Sequence, residues 1–198
     1  MTLQLLLAFA GYAIVTSITP GPNNTLLLAS GANHGFARTV PLLLGINLGF
    51  SALVLAVGLG LGSLFIAFPL LHEILRYGGA AYLLHLAWKI ARSGGGDAVL
   101  ESRQPIGFLE AAAFQWVNPK AWIMAIGAVA AYTPAEGYFL NLMVVTLVFA
   151  LMNAPCIAIW AGFGTLLRGF LANAAKRRLF NIAMALMLVA SLHPTLVG

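Results

Sequence analysis

Apolar residues run almost unbroken through six stretches of this chain, at about 3–31, 40–69, 74–91, 108–132, 139–167 and 179–197. A helix crosses a bilayer with about 20 apolar residues, and six such stretches leave too little polar sequence to coat a water-facing fold. Only 8% of the residues are charged, 61% are hydrophobic and the mean hydropathy is +0.95; a soluble domain carries roughly 25% charged residues. The fold class is therefore all-α integral membrane protein with six transmembrane helices, one transmembrane domain over 1–198 with the lipid bilayer as its first partner. Membrane strands do not fit, because the apolar residues are continuous rather than alternating over segments of about ten. The pI near 9.8 does not point to nucleic acid, since the longest basic run is Lys176-Arg177-Arg178.

The basic residues report topology instead. Connectors after the first, third and fifth stretches hold Arg38, then Lys89, Arg92 and Arg103, then Arg168, Lys176, Arg177 and Arg178, while the other side holds Arg76. Lys/Arg-rich connectors stay in the cytoplasm, which predicts both termini outside, periplasmic in a bacterium. The Met1-Thr2-Leu3-Gln4 start lacks the basic region of a cleaved signal peptide, so the first stretch is expected to remain as a span. One hydrophilic connector, about 93–106, separates a first half (about 1–92) from a second (about 107–198). Three spans per half invert the second half relative to the first. A small-residue stripe, Ala52, Ala56 and Gly60, recurs as Ala154, Ala158 and Gly162, and Arg76 corresponds to Arg178. Two inverted three-helix repeats are the expected architecture. Stripes of this kind, continued by Gly45 and Gly49, let helices pack closely and could also form a homodimer seam.

Spans one and four are each interrupted, by Thr19-Pro20-Gly21-Pro22-Asn23-Asn24 and by Asn118-Pro119-Lys120. Broken helices at corresponding positions of two halves mark the binding site of secondary transporters. Thr19-Pro20 and Asn118-Pro119 each read as an N-cap followed by Pro at the first helical position. Each break then begins a half-helix inside the bilayer, with N–H groups suited to a carboxylate. Pro20, Gly21, Pro22, Asn23 and Asn24 form one predicted wall, and Asn118, Pro119 and Lys120 the other. Asn oxygens and freed carbonyls suit an ammonium, so a zwitterion fits between them. A lysine inside a span marks a pathway or finds a partner. Lys120 is read as a substrate or coupling contact, against a scaffold role bonded to carbonyls freed by the first break.

Asn47, Gln115, Trp116, Trp122 and Asn153 are candidates to line the cavity, against ordinary interhelical bonding and packing. His85 and Glu110 are the candidates for proton coupling, against a packed neutral histidine and a solvated span-end carboxylate. Cys156 is the single cysteine, which excludes an intrachain disulfide and a paired-thiol relay. No phosphate-binding loop, metal-ligand spacing or hydrolase nucleophile motif is present, so no cofactor, no metal and no enzymatic activity are expected.

With these residues placed, the chain resembles the LysE-type amino-acid exporter family, in its homoserine/threonine-exporter branch. The similarity rests on the Thr19–Asn24 motif, His34-Gly35-Phe36, Gly45-Ile46-Asn47-Leu48-Gly49, Gly79-Ala80-Ala81-Tyr82-Leu83 and Asn118-Pro119-Lys120-Ala121-Trp122, in order over nearly the whole chain. The resemblance implies an inner-membrane exporter of amino acids or close derivatives, driven by the proton gradient. The 30–36 and 79–90 segments are most similar to exporters of cysteine and O-acetylserine. Many members carry Asp after Pro-Gly-Pro where this chain has Asn23, which leaves the proton-carrying residue unassigned. The expected function is alternating-access export of a small neutral or polar amino acid. The alternatives are a metal or other cation exporter of the same superfamily and a non-transporting redox or assembly subunit.

Overall fold

The structure, a computed structural model, describes residues 1–61, 69–94 and 105–192. Among them all regular structure is helical: α1 (Leu3–Ile18), α2 (Pro22–His34), α3 (Phe36–Ala56), α4 (Pro69–Ala91), α5 (Phe108–Gln115), α6 (Pro119–Tyr132), α7 (Tyr138–Leu167) and α8 (Ala174–Ala190). Each predicted stretch falls on a helix or a helix pair, the second as far as Leu61, since 62–68 lie outside the described residues. The first is α1 plus α2, bent by 56° at the break, and the fourth is α5 plus α6. The Phe36–Leu61 and Tyr138–Leu167 helices are each long and apolar enough to cross a membrane, as is the bent α1–α2 pair taken as one span. Most of the 93–106 connector lies outside the described residues.

Helix ends follow local chemistry. Thr2 caps α1 through its hydroxyl, which accepts from the Leu5 N–H at 3.3 Å. Gly35 joins α2 to α3 with φ +84°, a left-handed conformation that favours glycine. The helix of the sixth stretch, α8, begins at Ala174, five residues before the predicted start at 179. Asn173 causes this shift, accepting from the N–H groups of Ala175 (2.9 Å) and Lys176 (3.2 Å). The basic Lys176-Arg177-Arg178 run therefore lies on the first turn of α8 and not in a loop. The predicted end of that span, beyond 192, is outside the described residues.

The broken span of each half lies against the unbroken middle helix of the other: α1 and α2 pack on α7, and α5 packs on α3. The two middle helices pack on one another, and α4 packs on α8. Lipid is as apolar as leucine, so close backbone approach and interhelical polar bonds hold these helices together. A Cβ at Gly31 would collide with the Ala161 carbonyl, and one at Gly164 with the Leu28 carbonyl, so α2 and α7 touch backbone to backbone. Gly45 and Gly49 do the same for α3 and α5, where a Cβ at Gly49 would lie 2.6 Å from Ala112 Cα. The stripes singled out as repeating behave differently. Gly162 has open space around it, and Ala52 and Gly60 are exposed, because the crossings use the neighbouring helix face. Two apolar clusters result. One is built on Leu26, Leu42, Leu83, Phe114, Ile157 and Leu188, the other on Phe9, Phe50, Val145 and Phe149.

Gly164→Val should destabilise the protein by about 1–3 kcal/mol, the usual cost of overpacking, because rigid backbone stands in the way. Gly162→Ala should be neutral or slightly stabilising, since alanine is the better helix former. Thermal unfolding in detergent, followed by circular dichroism, separates the two.

Candidate functional site

A helix broken inside a bilayer leaves carbonyls that must find donors from protein or cavity water, and the first break accounts for its own. Asn24 Nδ2 donates to the carbonyls of Ser17 and Thr19, both at 2.8 Å. Trp160 Nε1, on α7, donates to Ile18 O at 3.1 Å. Lys120 Nζ, on α6, donates to Thr19 O (2.7 Å), Thr19 Oγ1 (2.9 Å) and Pro20 O (3.2 Å). The lysine thus has the carbonyl-bonded geometry that the sequence offered as its scaffold role, and its ammonium has three oxygen acceptors.

The half-helix after this break starts at Pro22, with Gly21 as its N-cap, and not at Pro20 with Thr19 as the cap. Thr19 instead ends α1 in an extended conformation, the one favoured before a proline. Its hydroxyl donates back to Thr16 O at 2.9 Å. The second break follows the prediction: Asn118 Oδ1 accepts from the Lys120 N–H at 3.2 Å, and Pro119 opens α6. The two half-helix starts therefore differ. Asn118 caps α6, whereas no side chain caps α2, and the Asn23 and Asn24 N–H groups at the start of α2 lack helical partners.

Between the breaks lies a cavity of about 20 Å³, lined by Ser17, Gly21, Asn23, Asn24, Asn118 and Lys120 on its polar side and by Phe50, Ala121, Met124 and Ile157 on its apolar side. It sits where the two apolar clusters meet, since Phe50, Ala121 and Met124 belong to one and Ile157 to the other. That volume admits about one water molecule, so a larger molecule enters only when the walls separate. Two lining residues, Ser17 and Asn24, are each only 3% exposed, and Ser17 Oγ and Asn24 Oδ1 have no hydrogen-bond partner. Buried polar atoms are normally satisfied, so these two atoms are the strongest indication of a ligand position.

The remaining candidates divide. Asn153 lines the cavity and donates to Asn47 Oδ1 at 2.8 Å, which ties α7 to α3. Gln115 is wholly buried and exchanges two amide bonds with Asn23, at 2.8 and 3.1 Å. Asn47, Gln115, Trp116 and Trp122 do not line the cavity. Trp122 Nε1 donates to the Trp116 carbonyl at 2.8 Å, covering the end of α5. Neither coupling candidate reaches the cavity. Glu110 accepts from Tyr82 Oη (3.0 Å) and Lys89 Nζ (3.2 Å), so it is an ion-paired carboxylate and not merely a solvated one. His85 is exposed and faces a separate cavity of about 410 Å³ beside Asn33, His34, Lys89 and Arg92, not the packed position considered for it. Sequence reasoning missed Thr16, Ser17, Phe50, Ala121, Met124 and Ile157 as lining residues. Thr16 and Ser17 alone carried a signal, as hydroxyls one turn before the break. Among the described residues no group of three or more His, Cys, Asp or Glu could hold a metal ion.

Comparison with known proteins identifies the family. The family model for the LysE type translocator matches residues 14–192. The cysteine/O-acetylserine efflux protein of Salmonella typhi is 36% identical over 193 residues, covering 96% of each chain. Its counterpart in Escherichia coli (strain K12) is 35% identical over 191 residues, again covering 96% of each. No solved structure matches. A helical membrane fold with a polar cavity between two broken spans, matched by the family model over nearly its full length, makes this chain a member of the LysE type translocator family, a transporter and not an enzyme.

Proposed function

We propose that this protein exports a small neutral or polar amino acid or derivative, cysteine/O-acetylserine-like or threonine/homoserine-like, across the bacterial inner membrane. The observation that carries the reading is the pair of unpartnered polar atoms, Ser17 Oγ and Asn24 Oδ1, beside the uncapped N-terminus of α2. A zwitterion matches this set. Its carboxylate suits the first-turn N–H groups of α2 and the positive end of the helix dipole. Its ammonium suits Asn24 Oδ1 and the carbonyls of the break. A bare cation finds no carboxylate among the lining residues and meets the Lys120 ammonium instead.

Transport proceeds by alternating access. The halves at about 1–92 and 107–198, acting as inverted repeats with periplasmic termini, rock about the two breaks and open the closed cavity to either side, driven by the proton gradient. Reciprocal packing of each broken span on the opposite half's middle helix supports this division. The relatives named for cysteine/O-acetylserine efflux support the substrate class.

In cells preloaded with labelled cysteine, O-acetylserine, threonine, homoserine and lysine, the protein should accelerate release of one of the small neutral or polar members, and an uncoupler should suppress it. No acceleration of any panel member, with the protein in the membrane, would refute the assignment. Ser17→Ala should weaken apparent substrate affinity about tenfold, as for one lost hydrogen bond of about 1–1.5 kcal/mol. Its thermal stability should not fall, because the hydroxyl bonds nothing in the fold. For topology, a membrane-impermeant maleimide should label Gln4→Cys in intact cells and Ser93→Cys only after permeabilisation. The reverse pattern would invert the orientation.

A further inference from the structure

The oxygen cradle at the first break has one occupant and two candidates for it. Thr19 O, Thr19 Oγ1 and Pro20 O surround the Lys120 ammonium at 2.7, 2.9 and 3.2 Å. Three oxygens around one nitrogen are what any primary ammonium requires, the α-ammonium of an amino acid included. The lysine's path is also prepared. Its stem crosses Gly21, where a Cβ would lie 2.7 Å from Lys120 Cδ, although the extended backbone at Gly21 (φ 174°) would accept other residues.

Resting on the export reading above, we infer that this cradle is the ammonium subsite, that Lys120 and the substrate's amino group occupy it in turn, and that their exclusion of one another couples export to protons. When the cavity faces the cytoplasm, the substrate ammonium takes the three oxygens. Lys120 loses these three acceptors, and its Nζ gives one proton to water on the cytoplasmic side and becomes a neutral amine. When the loaded cavity faces outward, a proton from outside returns to the Nζ lone pair. The re-formed ammonium reclaims the cradle, and the zwitterion leaves. The empty carrier then returns with its protonated lysine. Each cycle moves one zwitterion out and one proton in.

No other charged group faces Lys120 among the described residues that line the cavity. α1 contributes Thr16 and Ser17, α2 contributes Asn23 and Asn24, α3 contributes Phe50, and α7 contributes Asn153 and Ile157. The nearby titratable groups are engaged elsewhere. Tyr12 on α1 donates to Met124 O at 3.1 Å, and the Cys156 thiol on α7 points to Ile14 O at 3.9 Å. This assignment explains how a cavity without a carboxylate, having Asn23 after Pro-Gly-Pro, can exchange a proton for its substrate.

Two substitutions in the full-length protein, reconstituted in liposomes, test the inference. One assay reads exchange of labelled O-acetylserine, or of the panel member exported by the parent, at equal concentrations without a pH gradient. The other reads accumulation of the same compound against its gradient, driven by an imposed pH gradient. Lys120→Met empties the cradle and removes the proton, so exchange should persist while proton-driven accumulation is lost. Lys120→Arg keeps donors on the break's carbonyls but does not release its proton, so both activities should be lost in a folded protein. A purely structural lysine predicts the opposite order, with arginine active and methionine inactive. An active Lys120→Arg protein, a monodisperse Lys120→Met protein without exchange, or one that still accumulates substrate on a pH gradient would each overturn the inference. Should Lys120→Met fail to fold, the arginine variant decides alone. A parent protein that exchanges no member of the panel would refute the export reading itself, and the inference with it.

Discussion

Carbonyl groups released inside a bilayer need donors, and this structure is organised around supplying them at one point. The 56° break between α1 and α2 releases the carbonyls of residues 17–20. Asn24, four residues from Pro20 along the chain, satisfies two of them, while Trp160 and Lys120 reach across from the second half for the others. A break that only the other half can complete ties the two halves at the position where the cavity lies. The break therefore both lines the cavity with polar groups and joins the two halves of the chain.

The paired amide side chains inside the helices follow the same division. Asn23 pairs with Gln115, Asn33 with Asn181 (2.9 and 3.2 Å) and Asn47 with Asn153, each joining a helix of the first half to one of the second. Interhelical hydrogen bonds of this kind in membranes contribute roughly 0.6 kcal/mol on average. That is enough to set register and weak enough to exchange partners. The close glycine crossings of α2 on α7 and α3 on α5 are different, because backbone touching backbone leaves no room to adjust. Each broken span is thereby held closely to the opposite middle helix, whereas the contacts about the cavity are made by side chains.

Much of this was legible in the residues. The fourth stretch, 108–132, spans α5 and α6 from end to end, because an apolar run with one Asn-Pro interruption admits few alternatives. Asn118 as a cap was equally readable, being a local bond between a side chain and a backbone two residues on. The first break was read two residues early. Two prolines compete there for the first helical position, and the choice depends on Thr19 turning its hydroxyl back to Thr16 and toward Lys120. The repeating alanine and glycine stripes were visible, but which of their residues meet a neighbour depends on the angle at which helices cross.

Sequence alone determined the membrane class, the segments that become helices, the position of both breaks and the family resemblance. These properties rest on hydropathy and on bonds within a few residues, which a linear pattern records. Tertiary structure decided that Lys120 holds carbonyls 100 and 101 residues away. It also decided that Glu110 is paired with Lys89, that His85 faces a different cavity, and that Ser17 and Asn24 carry the unpartnered atoms. Whether a buried polar atom finds a partner depends on which distant helix packs against it, and no local spacing of residues encodes that.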